Sequence, residues 1–202
     1  MIIKICGLQT VEDAQFACAQ GAQFIGFVFA PSKRRVTPEQ AKKIVMELPS
    51  TSQAVGVFVN ESVETMLSIA KDVGLDLIQL HGNEPACVAE QLPYPVIKAF
   101  SIDDIEQKRI NDYPCTYYLI DSPGGGTGET FQWERLSALP IQHDKLLLAG
   151  GLDAENVSKA IQTTLPAGVD VSSGVETNGV KDQQKISEFI KTAFHTGKEV
   201  LQ

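Results

Sequence analysis

Cysteine is scarce in this chain of 202 residues, and its four copies, Cys6, Cys18, Cys87 and Cys115, fall far apart. No CxxC pair occurs and no cysteine stands beside a histidine, which excludes a zinc ribbon or finger and leaves no metal site to propose. So few cysteines in so long a chain also exclude a disulfide scaffold. Positive charge is in deficit, with 17 Lys and Arg against 25 Asp and Glu, a net charge of −8 and a pI near 4.9. Binding to phosphate backbones or anionic lipid requires a basic surface, so neither nucleic acid nor membrane is expected as a partner. No apolar run approaches the about 18 residues of a membrane span, and no basic-then-apolar leader opens the sequence. No linker or low-complexity tract interrupts it. The expectation is one cytoplasmic domain over residues 1–202, large enough to bury its own core.

Apolar residues make up 43% of the chain and charged residues 21%, the balance of an ordinary globular protein. The apolar residues gather in short runs at a steady interval of roughly 25 residues, the length of one strand–helix unit. Strands are predicted at Ile2–Ile5, Phe24–Phe29, Ala54–Val59, Leu77–Leu80, Val96–Ala99, Tyr117–Ile120, Leu146–Leu148 and Val169–Val171. All are too uniformly apolar for a sheet with one wet face. Helices are predicted between them. Val11–Gln20 follows the capping residue Thr10, and Pro38 to about Leu48 follows Thr37. Ser62–Val73 stops before Gly74, Ala154–Thr164 follows Asp153, and Asp182–Phe194 comes last. Shorter helices are placed near Ala86–Gln91, Asp103–Asn111 and Trp133–Leu136. Eight strands alternating with eight helices imply a parallel sheet, closed as a (β/α)8 barrel or open and doubly wound. The even count favours the single-domain α/β barrel, and no Rossmann fingerprint follows the first strand.

Strand parity then sorts the side chains. Ile3 and Ile5, Ile78 and Leu80, Tyr118 and Ile120, and Val169 and Val171 would face the helices. Lys4 and Cys6, Gln79 and His81, Leu119 and Asp121, and Asp170 and Ser172 would face the barrel interior. Four strands thus place polar groups near one end, the end at which such barrels carry their active sites. A thiol at the end of the first strand, with Lys4 on the same face, is a plausible base. Glycine-rich turns follow the last three strands at Gly124–Gly128, Gly150-Gly151 and Ser172-Ser173-Gly174, where backbone amides can converge on a phosphate. Lys33, Arg34 and Arg35 after the second strand suit a carboxylate or phosphate, with a solvated turn as the equal alternative.

In order along the chain, Lys4-Ile5-Cys6-Gly7, Gly26-Phe27-Val28-Phe29, Lys33-Arg34, Gly56–Asn60, Gln79-Leu80-His81-Gly82, Gly126-Thr127-Gly128 with Phe131 and Trp133, Ala149–Leu152 and Asp170–Glu176 resemble the signature blocks of phosphoribosylanthranilate isomerase. The resemblance implies a (β/α)8 barrel acting in tryptophan biosynthesis on the small molecule N-(5-phosphoribosyl)anthranilate. It implies an Amadori rearrangement that uses no cofactor, and a monomer or homodimer. By the same resemblance Cys6 is the general base, Asp121 the general acid, and Arg34 the group that holds the anthranilate carboxylate. Gly126, Gly128, Gly150, Gly151, Ser172, Ser173 and Gly174 would supply phosphate-binding backbone. Asp170 would touch substrate or orient its neighbours, and His81 is more readily structural than catalytic. Gln132 departs from the family, which often has an acidic residue there. Other phosphate-binding barrel enzymes, or an inactive barrel acting as a metabolite-binding regulator, are the competing readings.

Overall fold

The computed structural model describes residues 1–105, 110–122, 133–137 and 141–200. Eight parallel strands, β1 (Ile2–Cys6), β2 (Phe24–Val28), β3 (Gln53–Phe58), β4 (Leu77–Leu80), β5 (Val96–Ser101), β6 (Tyr117–Asp121), β7 (Leu146–Leu148) and β8 (Gly168–Val171), close into a barrel in sequence order. The fold is the closed alternative, a single (β/α)8 barrel. The seam pairs the first strand with the last, with Lys4 beside Asp170 and Ile5 beside Val171.

Parity holds throughout. Ile3, Ile5, Ile78, Leu80, Tyr118, Ile120, Val169 and Val171 are buried in the larger apolar cluster between strands and helices. A separate cluster fills the interior with Phe24, Val55, Leu77, Ile97, Leu119 and Leu147, joined by Ala99 and Ala149. Both faces of each strand are dry, so the strand sequences read as continuous apolar runs. Burying each of the larger side chains stabilises the fold by roughly 1.5–3 kcal/mol.

The helices are α1 (Val11–Gln20), α2 (Pro38–Val45), α3 (Val63–Val73), α4 (Ala86–Ala89), α5 (Ile102–Ile105), α6 (Glu134–Ser137), α7 (Val157–Thr164) and α8 (Gln183–Val200). Thr10, Thr37 and Ser62 cap α1, α2 and α3 through their hydroxyls, and Gln40 completes a capping box with Thr37. Several boundaries differ from expectation. Helix α2 stops at Val45 instead of near Leu48, and α8 continues to Val200 instead of ending at Phe194. Helix α7 starts at Val157, three residues later than Ala154. The reason is Asp153, whose Oδ1 accepts from the amides of Glu155 and Asn156 and closes a turn ahead of the helix. Of the helix expected over Asp103–Asn111, residues 106–109 lie outside the described residues, and those on either side form the short α5 and a 3-10 turn at Ile110–Asp112.

One element has no counterpart in the expectations. After β8, a 3-10 turn at Ser173–Val175 leads into a hairpin of β9 (Glu176–Thr177) and β10 (Val180–Lys181). Asn178 and Gly179 join its strands with φ of 54° and 80°. Among the described residues no helix is long and apolar enough to cross a membrane.

Candidate active site

Cys6 ends β1 with its side chain toward the barrel interior and 8% of its surface exposed. On the β2 side it meets bare backbone, because a Cβ on Gly26 would lie 2.8 Å from the Cys6 Sγ. Any larger residue at position 26 would displace the thiol. Behind it on the same face lies Lys4, wholly buried, whose Nζ donates to Asp170 Oδ1 at 2.9 Å across the β1–β8 seam. Ser172, just past the end of β8, donates from its Oγ to the Cys6 carbonyl at 3.0 Å. Burial pushes the Cys6 thiol above its ordinary pKa, with Asp170 adding to the rise, while Lys4 and Lys181 pull the other way. The resting form at neutral pH is therefore the thiol.

Asp121 ends β6, three strand positions around the barrel from Cys6. Its Oδ1 accepts from the Ser122 amide at 2.8 Å, and its Oδ2 lies 3.6 Å from His81 Nε2. Gln79 sits two residues before His81, with its Nε2 2.8 Å from His81 Nδ1. If that amide donates, Nδ1 accepts and the ring proton is on Nε2, facing Asp121. Gly150 makes room for the carboxylate. Its φ is +85°, and a Cβ there would lie 2.5 Å from the Ser122 nitrogen and 3.0 Å from Asp121 Oδ1. Asp121, His81, Asn60, Ser101 and Ser122 line an open cavity of about 430 Å³ at this end of the barrel.

Arg34 is buried and faces Glu176, which accepts from its Nε and, at 2.9 Å, from its Nη2. Lys181 joins the pair, donating to Glu176 Oε1 at 2.9 Å and to the Ser172 carbonyl at 2.8 Å. Burial would push the Glu176 carboxyl up, but the bonds from Arg34 and Lys181 outweigh it and hold the pKa at about 2. Lys181 moves down from its ordinary value because burial outweighs the attraction of Glu176.

Cys6, Asp121, Arg34, Gly150, Gly151, Asp170, Ser172, Ser173 and Gly174 therefore all stand at the C-terminal end of the barrel or in the loops that leave it. Gly126 and Gly128 lie outside the described residues, as do Phe131 and Gln132. Asp170 is committed to Lys4, and its carboxylate is only 10% exposed. Sequence reasoning missed Lys181 as a site residue, although Asn178-Gly179 between Thr177 and Val180 is a strong hairpin signal that brings position 181 back over β8. It assigned no role to Glu176. It also missed the buried pair of Lys98 Nζ with Glu84 Oε2 at 2.9 Å, which no local pattern announces. Among the described residues no three His, Cys, Asp or Glu side chains gather as a metal site.

Residues 3–192 match the family model described as N-(5'phosphoribosyl)anthranilate (PRA) isomerase. An N-(5'-phosphoribosyl)anthranilate isomerase of Listeria welshimeri is 49% identical over 198 residues, which cover 96% of this chain and 98% of that protein. The crystal structure of a phosphoribosyl anthranilate isomerase of Thermotoga maritima is similar at a TM-score of 0.88 with 42% identity, covering 96% of this chain and 100% of that one. A crystal structure of phosphoribosyl anthranilate isomerase in complex with reduced 1-(o-carboxyphenylamino)-1-deoxyribulose 5-phosphate is similar at a TM-score of 0.85 with 40% identity and the same coverage.

Proposed function

The chain belongs to the N-(5'-phosphoribosyl)anthranilate isomerase family, and from that premise we propose that Cys6 is its general base and Asp121 its general acid. The enzyme isomerises N-(5-phosphoribosyl)anthranilate to 1-(2-carboxyphenylamino)-1-deoxyribulose 5-phosphate in tryptophan biosynthesis. In its protonated form Asp121 gives its proton to the furanose ring oxygen as the bond from that oxygen to C1′ breaks, leaving a Schiff base. The Cys6 thiolate then takes the C2′ proton, and the resulting enolamine tautomerises to the ketone. The observation that carries this assignment is the placement of Cys6 and Asp121 on inward positions at the same end of two well-separated strands. Acid and base can then address opposite parts of one small substrate.

The anions of the substrate have candidate partners around the same rim. Glu176 takes the Nε–Nη2 edge of Arg34. A carboxylate of the anthranilate ring meets the guanidinium on its other edge, with its plane already fixed. The phosphate rests on backbone amides at Gly150-Gly151 and Ser172–Gly174, and at Gly126 and Gly128 in the loop after β6. A phosphorylated substrate does not cross lipid unaided, which favours the cytoplasm, where such metabolites are made.

The test is to add purified protein to freshly prepared N-(5-phosphoribosyl)anthranilate and follow the loss of its anthranilate-type fluorescence. Decay well above the spontaneous background is expected. Cys6→Ser and Asp121→Asn should each remove it while binding of the reduced product analogue persists. Full turnover by either variant would overturn that residue's role.

A further inference from the structure

Lys4 is a full charge in the interior of the barrel, with none of its surface exposed. Burying an ion pair such as Lys4–Asp170 does little for stability, because the desolvation of both charges offsets their attraction. A pair of well-packed apolar residues would serve the core at least as well. What distinguishes Lys4 is its position two residues before Cys6 on the same inner face, where its positive charge favours the thiolate. Asp170 touches Lys4 from the neighbouring strand and repels charge on Cys6. The charge of Lys181 also acts on Cys6, but Lys181 is already bonded to Glu176 and the Ser172 carbonyl. On the β2 side Gly26 contributes no side chain.

We propose that Lys4 is the positioning residue that makes Cys6 usable as a base. Its ammonium, held in place by Asp170, stabilises the thiolate as it forms. This rests on the reading of Cys6 as the general base. The division of labour follows from the chemistry. Burial alone would drive Lys4 toward its neutral form, but Asp170 and Cys6 outweigh that and raise its pKa. Lys4 therefore stays an ammonium through the cycle and supplies a fixed field without itself exchanging a proton. Asp170 has two opposed effects. It orients Lys4 and keeps it charged, and its own negative charge limits how far the thiol is acidified. A thiolate acidified too far would be abundant but a weak base toward carbon, so the balance suits a group that must both ionise and then remove a proton.

The opposed signs give the test. The Cys6 titration is read from thiolate ultraviolet absorbance, as the difference between each protein and the same protein carrying Cys6→Ser. Lys4→Met should move the midpoint to higher pH, with about tenfold less thiolate at a given pH for every whole pH unit that the midpoint rises. Asp170→Asn keeps an acceptor for Lys4 but removes the repelling charge, so its midpoint should move to lower pH. The double variant should fall between Lys4→Met and the unaltered chain. The rising alkaline limb of kcat/KM should follow the same order. A purely structural role would disturb both single variants in the same direction, and that result, or coincident midpoints, would overturn the proposal. If Lys4→Met does not fold, Asp170→Asn decides alone, with an unchanged or raised midpoint as the contrary outcome. The titration needs no turnover. An active Cys6→Ser enzyme would therefore overturn the base assignment while leaving the titration order standing, so the two failures are distinguishable.

Discussion

Nearer the N-terminal ends of its strands the barrel interior is closed by Phe24, Val55, Leu77 and Leu147, while nearer the C-terminal ends the same wall carries Cys6, Gln79, Asp121 and Asp170. On β4 and β6 the two halves are successive inward residues of one strand, Leu77 then Gln79 and Leu119 then Asp121, at similar burial and with opposite chemistry. Leu77 and Gln79 are separated by one residue, and both are almost wholly buried. The apolar half is favourable on transfer from water, and the polar half at best breaks even. It follows that the lower half supplies the rigidity that lets the upper half keep charged groups dry and in place. The contrast also separates two ways a substitution can fail, by loss of chemistry above or by loss of folding below.

The largest effect should come from the upper half. Cys6→Ser and Asp121→Asn are expected to lower turnover by about 10³-fold or more, with thermal midpoints close to that of the unaltered chain. A large fall in Tm in either variant would break the division, since it would make these residues structural. Next comes Glu84→Ala, outside the barrel interior. The Glu84 carboxylate accepts from the Asn60 and Gly82 amides and pairs with Lys98. Its removal should cost about 4 kcal/mol in urea unfolding, in the range seen when one partner of a buried pair is lost.

In the lower half, Leu119→Ala should destabilise by about 3 kcal/mol while kcat per folded molecule is retained. A comparable loss of kcat would mean that the halves are not separable. The smallest effect is a matter of pH. Glu176 is held at about 2 in the folded protein, below its ordinary 4.5. It therefore contributes stability above pH 4.5 that is lost as the pH falls toward 2. Glu176→Gln should be less stable than the unaltered chain at pH 6, and the gap should close over that window. A gap of constant size would locate the contribution in packing instead of charge.

The barrel strands were legible because both their faces are buried, and their parity because Lys4, Gln79, Asp121 and Asp170 interrupt the apolar runs on one face, which leaves Ile3, Ile78, Tyr118 and Val169 on the other. The start of α7 was not legible, because Asp153 is as good a cap as any and only its bonds to Glu155 and Asn156 show that it closes a turn first. Cys6 and Asp121 could be read from strand ends. The partners of charged residues could not be, since they are distant in sequence. Arg34 meets Glu176 across 142 positions and Lys4 meets Asp170 across 166. Lys181 was within reach of the sequence, given Asn178-Gly179, and the hairpin that carries it was overlooked because its strands are only two residues long.

The bond between Lys4 and Asp170 joins the first strand to the last, so it can form only when the barrel closes. A partial barrel that lacks β8 leaves the Lys4 ammonium without its Asp170 partner. Contacts this far apart in the chain form late, because the loop they close is long. On the proposed role of Lys4, thiol ionisation is coupled to completion of the fold. A refolding experiment that follows Cys6 reactivity alongside backbone signal would time the closing of the seam, with the thiol reaching its final state only after β8 has docked.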